Sequence, residues 1–336
     1  MTTAGFGGFT RASLDPRIRV FGPGATVAQD LEPEYITVSH NSQTAYVGLQ
    51  EANAIAELNV RSGTFTAIRA LGWKDHSLAG NAFDPSDRDG AIAIANWPVR
   101  GFFMPDGLAS YHVKGKTYVV SANEGDARDW PGYAEDARVS ALALDPVAFP
   151  NGASLKATSR LGRLTVTRAN GDTDGDGDYD ALYAFGGRSI SIWDEGGSLV
   201  WDSGDVLEQM TAALRPAVFN SDHAANASFD NRSDNKGPEP EGLAVGKVDG
   251  RWFAFVGLER LSGIAVFDIT DPRAPRFVEY ADRRDFAGDP RAGSAGDLGP
   301  EGLAFVAAED SPTGEPMLVV GNEISGTTTT WNIAVE

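Results

Sequence analysis

The feature that most constrains this chain is a recurring unit of short strands separated by turn clusters. Tyr35–Val38, Ala45–Leu49, Ala54–Val60 and Thr64–Ile68 follow one another, with only His40-Asn41-Ser42, Glu51-Ala52-Asn53 and Arg61-Ser62-Gly63 between them. Ala56, Leu58 and Val60 alternate with Glu57 and Asn59, the period of two that turns one face to a core and the other toward water. The unit returns as Gly107–Tyr111, Thr117–Ser121 and Val139–Leu144, then as Gly242–Val245, Trp252–Gly257 and Gly263–Ile269. Gly302–Val306, Met317–Gly321 and Thr327–Ile333 close the chain, and Ala181–Phe185, Ser189–Trp193 and Leu199–Trp201 make a more divergent copy. A sandwich would give strands without such repetition. Meanders repeated at this scale predict an all-β propeller of four-stranded blades, with about five blades visible.

One short inserted helix is expected where Asp205–Glu208 resembles a capping box, Val206, Met210 and Leu214 form an apolar stripe, and Pro216 stops it. Polar, turn-rich stretches at 73–98, 125–137 and 217–240 are expected to be loops over one face. No linker divides the chain, so a segment 1–20 followed by a single propeller domain over 21–336 is the expected organisation.

Charge removes several classes of partner. Among 336 residues, 28 Lys and Arg stand against 47 Asp and Glu, a formal net charge of −19. Nucleic acid and anionic membrane surfaces would be repelled before contact. Cysteine is absent, so disulfides, thiolate nucleophiles and Cys-type metal sites are excluded. No apolar run is long enough for a membrane-spanning helix, and Met1–Phe6 carries no basic or apolar signal-peptide region.

The repeats align on their acids. An acid stands just before the first strand of each clear copy: Glu34, Asp106, Glu241 and Glu301. Another closes the second strand: Glu51, Glu124, Glu259 and Glu323. The start of one antiparallel strand and the end of the next share an edge, so these eight carboxylates should gather on one face. Crowded like charges need cations, Arg or Lys partners, or protons. Oxygen-only ligands suit Ca²⁺, or Mg²⁺ or another divalent cation. The alternative expectation is that each acid caps its own turn or accepts backbone N–H bonds between blades.

A second acidic signal is local. In Gly171–Asp180, Asp172, Asp174, Asp176, Asp178 and Asp180 alternate with small or polar residues, a pattern able to wrap one hard cation. It lacks the closing Glu of an EF-hand. None of the histidines His40, His76, His112 and His223 has ligand spacing. His76, Arg128 and Arg260 are the weak catalytic candidates, and no nucleophile elbow or phosphate-binding Gly loop is present.

Phe21-Gly22-Pro23-Gly24-Ala25, Leu31-Glu32-Pro33-Glu34-Tyr35-Ile36, Lys74-Asp75-His76-Ser77, Asp87-Arg88-Asp89-Gly90 and Asn123-Glu124-Gly125-Asp126-Ala127-Arg128 occur in order. The Asp loop, Ser233-Asp234-Asn235-Lys236-Gly237-Pro238-Glu239-Pro240-Glu241-Gly242 and Asn322-Glu323-Ile324-Ser325-Gly326-Thr327-Thr328 follow. Together these motifs resemble the choice-of-anchor I family over almost the whole chain from about residue 9. The resemblance implies a YVTN/WD40-like propeller, secreted or held at the cell surface. Members usually carry further repeats before the Phe-Gly-Pro-Gly region, so an N-terminal part of the same propeller is an expected partner. Five blades would then close on themselves or leave the ring incomplete. Two functions fit: a Ca²⁺-stabilised propeller presenting loops to an unknown ligand or surface partner, or, because some members are labelled alkaline phosphatase, a metal-dependent phosphoesterase.

Overall fold

The computed structural model describes residues 3–335; Met1, Thr2 and Glu336, which the expected segment and domain include, lie outside them. Strands β1 (Ile36–Val38), β2 (Thr44–Leu49), β3 (Ala54–Asn59) and β4 (Thr64–Ala70) form an antiparallel meander in that order. After β5 (Trp73–Asp75) and β6 (Arg100–Phe102) come β7 (Leu108–Val113) and β8 (Lys116–Asn123). A long excursion then carries β9 (Asp129–Trp130), β10 (Tyr133–Ala134), β11 (Asp136–Arg138), β12 (Thr165–Thr167) and β13 (Tyr183–Ala184). The chain continues with β14 (Ser189–Asp194), β15 (Leu199–Asp202) and the helix Val206–Leu214. It then runs through β16 (Pro240–Val248), β17 (Arg251–Leu258), β18 (Gly263–Asp268) and β19 (Arg276–Asp282). The last strands are β20 (Pro300–Val306), β21 (Met317–Asn322) and β22 (Thr327–Asn332).

The fold is all-β, built from several antiparallel sheets. Sheet one is β1–β4; sheet two has the order β7-β8-β14-β15; sheet three is β16–β19; sheet four is β20–β22. Their faces pack in series. Tyr46 and Ile55 of sheet one meet Leu108, Val119 and Trp193 of sheet two. Val120, Ala122, Ile190 and Ile192 meet Val256, Ala265 and Phe267 of sheet three, and Phe253, Phe255 and Ile264 meet Leu318 and Val320 of sheet four. The far face of sheet one is covered by Phe6, Ile18, Val27 and Leu31, packed on Val47, Leu49, Ala54 and Ala56. The first strands lie side by side along the series, β1 against β7, β7 against β16, and β16 against β20.

The repeat reading needs one correction. The second and the divergent copies are a single sheet: β8 pairs with β14 from Ser189↔Asn123 to Asp194↔Tyr118. Val139–Leu144 is not its third strand; Val139–Ala141 is a 3-10 turn. Val139 and Leu142 turn into a separate core with Leu161, Leu164, Val166 and Phe83. That core backs a five-stranded sheet of order β11-β12-β13-β6-β5, in which β13 and β6 run parallel. So the stretches 73–98 and 125–137, expected to be loop, contribute strand residues at 73–75, 129–130, 133–134 and 136–137. The inserted helix forms over Val206–Leu214, but Asp205 makes no capping hydrogen bond and Glu208 instead pairs with Arg188 at 2.7 Å. Two further four-residue helices, at Val27–Asp30 and Gly152–Leu155, were not expected.

Candidate functional site

The Pro-acid-Gly sequences explain how acids from separate sheets meet. In β16, Gly242 follows Glu241, and a Cβ placed on it would lie 2.1 Å from the carbonyl oxygen of Glu301. A Cβ on Gly107, next to Asp106, would lie 2.3 Å from the carbonyl of Glu241. Only glycine allows backbones this close, and the contact sets Asp106, Glu241 and Glu301 in a row along neighbouring first strands. Gly302, after Glu301, has nothing within 4 Å of such a Cβ, and the row ends there.

Within each sheet, backbone hydrogen bonds bring the second acid alongside. Glu34 N–H donates to Gly48 and Asp106 N–H to Ala122, while Glu259 N–H donates to Glu239 and Glu323 N–H to Gly299. The eight repeat acids therefore lie at one end of the sheet series. Three close on one point: Asp106, Glu124 and Glu241 each offer an oxygen within 4.8 Å of the others. Glu34 lies within electrostatic reach of Glu51 and Glu124. Glu301 is in reach of Glu323 and Glu259, and Glu323 itself is exposed.

One half of this rim is neutralised by the protein itself. Glu239, fully buried, pairs with Arg232 at 2.6 Å, Arg260 at 3.0 Å and Lys236 at 3.4 Å. Burial pushes the Glu239 carboxyl up, but these three cations outweigh it and hold it at about 2. Lys236 also bonds Glu124, whose other oxygen accepts from Gln50 Nε2 at 3.0 Å. Arg260 Nε reaches Glu259 at 3.2 Å, and His223 Nδ1 lies 3.3 Å from the same carboxylate. Among the described residues, Asp106 and Glu241 have no such ion-pair partner. Burial, with the charges of Glu124 and Glu34, pushes Asp106 up to about 8. Burial, with Glu124, Glu259 and Asp106, pushes Glu241 up to about 10. Glu241 Oε2 is buried with no hydrogen-bond partner. Burial and the Glu32 charge lift Glu51 to about 7, against a nearby Arg128.

Sequence reasoning missed Glu239, Lys236, Arg232 and His223 at this place. The second acid of Pro238-Glu239-Pro240-Glu241 was the available signal, since one intervening residue keeps a second Glu within reach of the rim Glu. The structure also separates the candidate catalytic side chains. His76 is 3% exposed and its Nδ1 lies 2.7 Å from the Asn81 carbonyl. Burial, helped by the Lys74 charge, holds it down at about 3, so it is a neutral core residue beside Phe83. Arg128 is equally enclosed: it pairs with Asp30 at 3.0 Å and donates to the carbonyls of Glu51, Arg19 and Asp30. Only Arg260 stands at the rim.

The Asp loop is exposed and folds on itself. Asp172 accepts from the N–H groups of Gly175 and Gly177, and Asp180 accepts from Thr173 N–H and Oγ1. Asp172, Asp174 and Asp180 bring oxygens within 4.8 Å of one another, as do Asp145, Asp178 and Asp180. Asp176 belongs to neither group; it accepts from Asp178 N–H at 3.1 Å.

The model of the choice-of-anchor I domain matches residues 1–272. The chain belongs to the choice-of-anchor I family. The match ends before β19, so sheet four, and the 322–328 motif counted toward the resemblance, lie beyond it. The mesenchyme-specific cell surface glycoprotein of Strongylocentrotus purpuratus is 32% identical over 278 residues, which cover 73% of this chain and 35% of that protein. Gigasin-3a of Magallana gigas is 30% identical over 191 residues, covering 54% of this chain and 67% of that protein. A putative 6-phosphogluconolactonase from Bacteroides uniformis superposes over 93% of this chain and 55% of its own, with 12% identity and a TM-score of 0.40.

Proposed function

We propose that this choice-of-anchor I domain is a cell-surface or secreted module of β-propeller type, whose sheets act as blades, and that it binds Ca²⁺ at the Asp106–Glu124–Glu241 cluster. Its loops would be presented to a ligand at the same end. The observation that carries the metal reading is the convergence of these three carboxylates on one point, with Glu241 Oε2 buried and unpartnered. Five clustered carboxylates, Asp106, Glu124, Glu239, Glu241 and Glu259, face three cations, Lys236, Arg232 and Arg260. A divalent ion would balance the remainder with ligands of the right kind. The Asp172–Asp174–Asp180 group is a second, exposed candidate for the same ion. The placement outside the cell rests on the name of the sea-urchin relative, and an N-terminal part of the same propeller in longer relatives would pack on this one.

The test is thermal unfolding of protein stripped with EGTA and reloaded. Ca²⁺ at 1 mM should raise Tm of the wild type by several degrees, since an ion that binds only the folded state stabilises it by mass action. Glu241→Gln should lose most of that rise. A Tm that ignores Ca²⁺ in the wild type would sink the reading. A metal-dependent phosphoesterase is the competing function; Ca²⁺- or Zn²⁺-dependent hydrolysis of p-nitrophenyl phosphate that Glu241→Gln abolishes would establish it instead.

A further inference from the structure

Away from the rim, the segment 217–240 holds a second group of oxygens whose hydrogen-bond inventory does not close. Asp230 N–H donates to Phe219 and Arg232 N–H to Asn220, each at 2.8 Å, so the two halves of the segment lie side by side. Between them stands Ser233. Its hydroxyl donates to Asp230 Oδ1 at 2.5 Å and accepts from Asn220 Nδ2 at 2.9 Å. The other Asn220 amide hydrogen goes to Glu208 Oε2 at 3.2 Å.

That leaves Asp230 Oδ2 and Asn220 Oδ1, on residues that are each 2% exposed, buried and without partners. The neighbouring Ser221 Oγ is orphaned too. Every unmatched atom can accept. Orphaned buried acceptors are rare in folded proteins, and a buried carboxylate without a cation is rarer. Among the described residues no Lys or Arg nitrogen lies within 4 Å of the Asp230 carboxylate. Arg188 passes close by but is used up: it pairs with Glu208 and donates to the carbonyls of Asp84, Ser233 and Asn235. Fully buried Asp84 adds a second negative charge within reach of Asp230, and its oxygens are already held by the N–H groups of Ser86 and Ala93. Burial, then Asp84 and Asp89, lift Asp230 to about 8 against the Ser233 hydrogen bond.

We infer that Asp230 Oδ2 and Asn220 Oδ1 are ligands of a buried hard divalent cation of the Ca²⁺ class, with Asp84 supplying further negative charge. Asp230 and Asn220 offer oxygen donors, the kind such an ion takes, and Asp84 adds a second carboxylate charge nearby. The role is structural. The ion would pin 217–220 to 230–233, and the chain leaving Ser233 delivers Lys236 and Glu239 to the rim. This site is independent of the rim cluster and of the Asp loop.

Two measurements decide it. Protein equilibrated with Ca²⁺ and freed of excess is analysed for metal: Asp230→Asn should carry one Ca²⁺ per chain fewer than wild type, whereas Glu241→Gln keeps this ion. Wild-type crystals soaked in Tb³⁺ should give an anomalous peak about 2.3–2.6 Å from Asp230 Oδ2 and Asn220 Oδ1. An unchanged metal count in folded Asp230→Asn overturns the inference. So does a map with no anomalous peak there, which would mean a buried water only. If Asp230→Asn does not fold, the wild-type crystal decides alone.

Discussion

Glu241 and Asp106 show how a single residue reports on what surrounds it. Both carboxyls are raised, to about 10 and about 8, because burial and neighbouring acids penalise the charged form. A folded-state pKa above the unfolded one favours folding at low pH and withdraws that support as pH rises through the folded value. Chelated protein should therefore lose stability steadily between about pH 5 and pH 9, and Ca²⁺ should flatten the profile; denaturant midpoints across that range measure it. Glu241→Gln stays neutral without having to hold a proton, so at pH 9 without Ca²⁺ it should be the more stable protein by roughly 1–3 kcal/mol. Lys236 behaves in the opposite sense. Burial pulls its pKa down, yet Glu124 and Glu239 outweigh this and keep it charged. Lys236→Met should cost about 3–5 kcal/mol by leaving buried Glu124 without its cation, while Glu239 keeps Arg232 and Arg260; the loss is read as a fall in urea midpoint.

At the scale of elements, the acids at strand starts and ends were legible because antiparallel geometry fixes which ends share an edge. The glycines beside them were legible as residues but not as contacts: no local pattern says that Gly107 meets Glu241 across two sheets. That contact gives a sharp contrast. Gly107→Ala and Gly242→Ala place a methyl against backbone oxygen at 2.3 and 2.1 Å and should each cost about 1–3 kcal/mol or more, while Gly302→Ala, which meets nothing, should be close to neutral in the same melts. The second sheet was misread for a related reason. Alternation in Val139–Leu144 signals burial, not which strand is the partner. The true partner, β14, lies beyond an excursion whose length no periodicity can bridge, and it is fixed by long-range bonds such as Trp193 Nε1 to Ser121 Oγ at 2.8 Å. The buried Asp84, Asn220 and Asp230 left no signature either, since loop polarity looks the same in the sequence whether it is solvated or enclosed.

For the whole molecule, the net charge of −19 opposes compaction, and part of it is concentrated at one end. Salt and Ca²⁺ act on different parts of that load. Raising NaCl to 1 M shortens the screening length from about 8 Å to about 3 Å, which shields exposed acids such as Glu323 but not the buried cluster. NaCl should thus recover only part of the Tm that 1 mM Ca²⁺ restores to stripped protein. Full recovery by NaCl alone would mean diffuse repulsion, with no ion held at the rim.

The excursion between β8 and β14 starts and finishes at the same place, because Asn123 and Ser189 are direct partners at the end of one ladder. Topologically it is an overgrown hairpin tip. Its strands β11, β12 and β13 complete a sheet with β5 and β6, which come from the earlier stretch joining sheets one and two. The two outgrowths are therefore obligate companions. Trimming the tip to a tight turn would spare the ladder yet take β13 from β6 and leave β5 and β6 as a lone three-residue pair, so shortened versions of this architecture should give up both outgrowths together.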